Sequence, residues 1–117
     1  MKFLMTYEQS AHTGPATPEK MEAIARFSQD MAKAGILLMT GGLQRPTKGT
    51  HIKLANGDFS MTDGPFAETK ELIDGFALIE VKSKEEALEV SRRFMSVAGD
   101  GRGEILQVFE APAGPPR

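Results

Sequence analysis

Three observations predict an α+β fold, with two helices laid on an antiparallel sheet. Strand-like and helix-like apolar patterns follow one another in the order strand, helix, strand, hairpin, strand, helix, strand. Asn56-Gly57 lies between two short runs, Thr50–Leu54 and Asp58–Thr62, a strong short-range hairpin signal. Both helices open on capping chemistry. With the hairpin treated as an insertion, the order is βαββαβ, the split arrangement of ferredoxin-like folds.

The elements follow in turn. Phe3 to Glu8 reads as a strand and Gln9 to Thr17 as a loop. Thr17 is placed to cap a helix, with Pro18 in its first turn and Glu19 near the positive end of the helix dipole. Met21, Ile24, Ala25, Phe27, Ser28 and Met31 then recur at helical spacing, and Gly35 ends the helix as its C′ residue. Ile36 to Thr40 is an apolar strand, which Gly41-Gly42 is expected to break. Phe76 to Val81 is the next strand. Ser83-Lys84-Glu85-Glu86 has the spacing of a capping box, and Ala87, Val90, Ser91, Phe94 and Ala98 form one face of the second helix. Gly99, Gly101 and Gly103 end it. The Gly-x-Gly-x-Gly spacing follows a helix and precedes a strand, the wrong context for dinucleotide binding. Glu104 to Glu110 is the last strand. One domain therefore spans residues 1–110, and residues 111–117, rich in proline, form a loose tail.

Both faces of this sheet are apolar. Phe3, Met5 and Tyr7 oppose Leu4 and Thr6; Phe76 and Leu78 oppose Ala77, Ile79 and Val81; Ile105 and Phe109 oppose Leu106 and Val108. Two helices cover only one face, so a second copy of the sheet is expected on the other, as a homodimer.

At 117 residues the chain suits one domain. Its 40% hydrophobic and 26% charged residues are those of a folded, soluble protein. Without cysteine there is no disulfide framework, thiol nucleophile or thiolate metal site. With 14 basic and 16 acidic residues and a net charge of −2, nothing resembles the basic footprint of a nucleic-acid binder, which needs clustered Lys and Arg on one face. The first residues lack the core of a signal peptide, and no apolar run reaches the roughly 20 residues of a membrane span. A cytoplasmic location is expected.

Candidate chemistry centres on Asp63-Gly64-Pro65-Phe66-Ala67-Glu68-Thr69-Lys70-Glu71. As structure, Asp-Gly-Pro is a turn and Phe66 an apolar anchor. As chemistry, Asp63 can serve as general base and Glu68 as its acid partner. In an extended segment Glu68 and Lys70 share a side, where Lys70 can neutralise a substrate anion; the plainer role is a solvated charge run. Tyr7, the one tyrosine, either orients a ligand or stands with a wet tip at the core edge. His51, on the hairpin, either faces a cleft as an acid or base, or is an exposed strand residue. His12 lies in a polar loop. The two histidines have no metal-ligand spacing, and no cofactor motif is present.

The nonapeptide resembles the signature of the DGPFAETKE family, within the YCII-related group of small α+β proteins. The likeness extends over most of the chain, through Gly35-Ile36-Leu37-Leu38, Gly41-Gly42-Leu43-Gln44, Gly75-Phe76 and Val81-Lys82-Ser83-Lys84-Glu85-Glu86-Ala87. It implies a dimeric α/β barrel. Some members of the wider group look like lactone-processing enzymes with a His–Asp pair whose histidine lies on or near the first helix. Residues 18–34 contain no histidine, so that pairing does not carry over. The DGPFAETKE branch is often encoded beside sigma factors of the extracytoplasmic-function type, which implies a regulatory setting. Two functions are therefore expected. One is a cofactor-independent acid/base site in the dimer cleft for a small polar or anionic substrate, with Asp63, Glu68 and Tyr7 in catalysis and Lys70, Phe66 and His51 in binding. The other is a non-catalytic ligand-binding or regulatory module partnered with a sigma factor. A cofactor-free monooxygenase is a third expectation, on fold analogy alone.

Overall fold

The computed structural model describes residues 1–10, 17–43, 49–64 and 75–110. They form β1 (Lys2–Gln9), α1 (Pro18–Lys33), β2 (Leu37–Gly42), β3 (Thr50–Ala55), β4 (Asp58–Asp63), β5 (Gly75–Glu80), α2 (Lys84–Ala98), β6 (Gly101–Arg102) and β7 (Ile105–Val108). The main sheet runs β2–β5–β1, with β6 and β7 both pairing to β1, and every pairing is antiparallel. The fold is α+β, and its order, with β1 and β5 at the centre, is compatible with the ferredoxin-like arrangement. β3 and β4 pair only with each other.

Register sorts the side chains. Phe3 stands opposite Ile79, and Met5 opposite both Ala77 and Ile105, on the helix side. Phe3, Met5, Ile79 and Val81 pack there with Ala87 and Val90 of α2 as the buried core. On the other face Leu4 stands opposite Leu78 and Leu106, and Met39 opposite Leu78. Met39 and Leu106 are exposed there, as the alternation predicts for an uncovered face.

Both helices are built at their ends. The Thr17 hydroxyl accepts from the Lys20 amide at 3.1 Å. At the other end Gly35 has φ 77°, its amide donates to Ala32, and the Ile36 amide donates to Met31. These two bonds make a Schellman cap. The Ser83 hydroxyl accepts from the Glu86 amide at 3.1 Å, but the Glu86 carboxylate reaches the Lys82 amide instead of closing the predicted box on Ser83. At the hairpin tip Asn56 and Gly57 both have positive φ, 53° and 81°, as a type I′ turn requires.

Three expectations are corrected. Gly41 and Gly42 do not break β2; they pair with Phe76 and Gly75. The Phe76 ring lies over Gly41, at 3.1 Å from where a Cβ would stand, so the aromatic side chain replaces the missing one. The last strand begins earlier than predicted. β6 and β7 are one path along β1, interrupted where the Thr6 amide donates to the Glu104 carbonyl and the Glu104 amide to the Thr6 hydroxyl. Gly103 permits that approach, because a Cβ there would sit 1.9 Å from the Thr6 carbonyl oxygen. Met21, expected on the apolar face of α1, is 61% exposed, and Met31 is the only residue α1 buries among those described. The expected tail, 111–117, lies outside the described residues.

Ile79 is 1% exposed at the centre of both the sheet and the core. Ile79→Ala is expected to cost about 2–5 kcal/mol, read as a lower urea midpoint at unchanged m-value. Gly103→Ala is expected to lower the midpoint too, since the backbone of β1 must move to admit a methyl group.

Candidate functional site

A cavity of about 440 Å³ lies between α1, α2 and the helix side of the sheet. The core explains why it is open there. α2 seats Ala87 and Val90 directly on the sheet, while α1 sinks only Met31. The space left beneath α1 is lined by Ile24, Phe27 and Met31 from that helix, and by Phe94 and Ala98 from α2.

The cavity has two unlike ends. β1 and β2 run parallel through their common neighbour β5, so Leu37 and Ile79 lie towards one end of the sheet, and Gly42 and Gly75 towards the other. The first end is apolar, with Met31 above it. The second carries Tyr7, Gln9 and Lys20, with Thr40 and Ser28 along the way. Lys20 is half-buried in the first turn of α1. None of the ion pairs among the described residues engages its ammonium. The described walls contain no carboxylate and no imidazole, so Lys20 is their one charged group.

Tyr7 is held firmly at this end. Its hydroxyl lies 2.9 Å from the Gly99 carbonyl and 3.2 Å from that of Asp100, and donates towards them. Its ring meets Phe94 edge-on at 5.3 Å. Gly101 packs beneath it, where a Cβ would lie 2.8 Å from the ring. The three glycines after α2 are thus accounted for by packing: Gly99 turns the chain at φ 106°, and the next two let it press against β1. Phe27 extends the aromatic wall, 6.2 Å from Phe94, with the Arg93 guanidinium 5.5 Å over its outer face.

The other predicted residues are placed differently. Asp63 ends β4 with its carboxylate 2.6 Å from the Thr50 hydroxyl, and it is exposed. His51 lies on β3 opposite Thr62, one position along from the Thr50–Asp63 pair, so the pleat sends it to the other face of the ribbon. The described structure therefore brings neither Asp63 nor His51 together with Tyr7 at the cavity. Phe66, Glu68 and Lys70 lie outside the described residues, as does His12. The segment that holds the first three ends at Gly75, which lines the polar end. Among the described residues no group of three His, Asp or Glu side chains could hold a metal ion, and no helix is long and apolar enough to cross a membrane.

Sequence reading missed Lys20, Phe27 and Phe94 as lining residues. Lys20 sits just after a capped Pro18, where a charged side chain reads as solvent-facing. Only the helical offset places it on the stripe shared with Ile24, Phe27 and Met31. Among the described residues, the ionisable pair with clearly displaced pKa values lies elsewhere: Arg92 donates to Glu89 at 3.0 Å on the exposed side of α2, holding that carboxyl below its ordinary range.

The YCII-related domain model matches residues 1–111. A curated relative, an uncharacterised protein of Rhizobium meliloti (strain 1021), is 31% identical over 93 residues, which are 76% of this chain and 75% of that protein. With a family match over nearly its whole length, the chain belongs to the YCII-related family.

Proposed function

We propose that the protein binds a small, largely apolar molecule bearing one anionic group in the cavity beneath α1. The polarity gradient along the cavity carries this reading: an aliphatic and aromatic interior that ends at Lys20, Tyr7 and Gln9. Such a pocket gains affinity from apolar burial and takes orientation from a few polar groups. Lys20 supplies the charge, and its aliphatic stem lines the wall while the ammonium stays near water. Tyr7 acts as a positioning residue, since its proton is committed to the turn after α2.

Acid–base chemistry on the bound molecule is assigned to the nonapeptide. Its carboxylates, Asp63 and Glu68, are the candidate base and acid, because the described walls offer neither group. Lys70 would then reinforce Lys20 on an anionic substrate. The whole site works in a dimer: the second copy covers the open sheet face bearing Leu4, Met39, Leu78 and Leu106, and the pair forms the two-sheet barrel.

The reading is tested by thermal shift with medium-chain and aromatic carboxylic acids beside their neutral amides. The acids are expected to raise the melting temperature more than the amides, by linkage to the folded state. Lys20→Met should remove that difference, while Asp63→Ala should keep it. The reverse pattern, loss with Asp63→Ala alone, would move the binding site to the nonapeptide. Tyr7→Phe is expected to lower stability by about 1 kcal/mol through the lost hydrogen bond and to weaken binding only modestly.

A further inference from the structure

The β3–β4 ribbon is built like a strand pair with one buried face, yet nothing described in its own chain covers that face. Ile52 stands opposite Met61, and Leu54 opposite Phe59, so the four share one side. They are 70%, 67%, 70% and 64% exposed, in the order Ile52, Met61, Leu54, Phe59. The other side carries His51, Lys53, Ser60 and Thr62. Among the described elements, β3 and β4 make substantial contact only with each other. A lone two-stranded ribbon is marginally stable in water.

We infer that this ribbon is an arm that docks its Ile52–Leu54–Phe59–Met61 face on a second copy of the chain. The area fits that occupant. Four large side chains, each about two-thirds exposed, form an apolar patch on the order of 400 Å², a size that is often functional even on a monomer. A stable pair needs roughly 800 Å² from each partner. In a two-fold pair each copy offers its arm and receives the other, so the arm supplies about half of that requirement.

The chain leading to the arm is apolar and exposed as well: Met39 of β2 stands on the open sheet face opposite Leu78, and Leu43 follows that strand. The quartet itself includes no charged group. The nearest carboxylate on that side is Asp63, held by Thr50 at the root. The complement of the quartet itself is therefore a second apolar surface, not a charged one. The arm rests on the two-copy reading of the sheet but adds a contact separate from it, and it does not depend on what the cavity binds.

The test is sedimentation equilibrium of the full chain beside two variants, with circular dichroism to confirm that each is folded. Wild type is expected at twice the 12.7 kDa chain mass. Leu54→Ser/Phe59→Ser should raise the dimer dissociation constant at least tenfold with an unchanged spectrum. The single Ile52→Thr, which keeps β-branching in the strand, should act in the same direction if the double variant fails to fold. Leu78→Lys tests the sheet face on its own. An arm variant that dimerises like wild type while Leu78→Lys dissociates would overturn the arm and leave the sheet pairing in place. A monomeric wild type would overturn both. Arm variants that melt lower with unchanged dimer affinity would show that the chain covers its own quartet, and would also overturn the proposal.

Discussion

The structure depends on one constraint, the pairing of β1 with β5 in a register that sets Phe3 opposite Ile79. Side chains in a strand alternate with period two, so this register decides the fate of every neighbour. It puts Met5 beside Ala77 under the helices and Leu4 beside Leu78 on the far side. A slip of one residue would exchange the two sets. Ile79, buried between the sheet and α2, is the side chain that resists that slip most strongly. The cavity follows from the same pairing, since Met5, Ala77 and Ile79 line it on the sheet side.

Much of this was legible because the signals are local. Thr17-Pro18, Ser83 with Glu86, and Asn56-Gly57 each act over three or four residues, and the structure uses them nearly as read. What misled was glycine. Gly41 and Gly103 look like breaks when only their neighbours in sequence are considered. In space Gly41 lies under Phe76 and Gly103 lies against Thr6, and each permits a contact instead of ending an element. These partners are 35 and 97 residues away along the chain. The cavity was illegible for a related reason: Met21, Ile24, Phe27 and Met31 have the spacing of a core stripe, and sequence alone does not reveal how far a helix stands from its sheet.

The two apolar surfaces outside the core have different physical meanings. The open face of the main sheet belongs to strands already held on their other side by a packed core. Its exposure costs solvation but does not threaten the sheet. Among the described elements the arm has no such support. Its two strands pair only with each other there, which leaves their outward backbone groups to water, and its apolar quartet is the feature through which it can gain tertiary stability. A partner that covers both surfaces would stabilise the sheet a little and the arm decisively.

The same contrast bears on the site. α2 supplies the helical part of the core, whereas α1 supplies a wall, because it buries little beyond Met31 and is fixed by its caps and its contacts with α2 and β2. A helix held at its ends can stand away from a sheet and leave room for a ligand without opening the core. That division places Lys20 on the element with least to lose from movement, while Tyr7 and Phe94 belong to the strand and helix that anchor the fold. A ligand entering beneath α1 would therefore meet one wall able to adjust and one that is not. Its charged end would be set by the adjustable wall, against an aromatic surface fixed by the turn at Gly99.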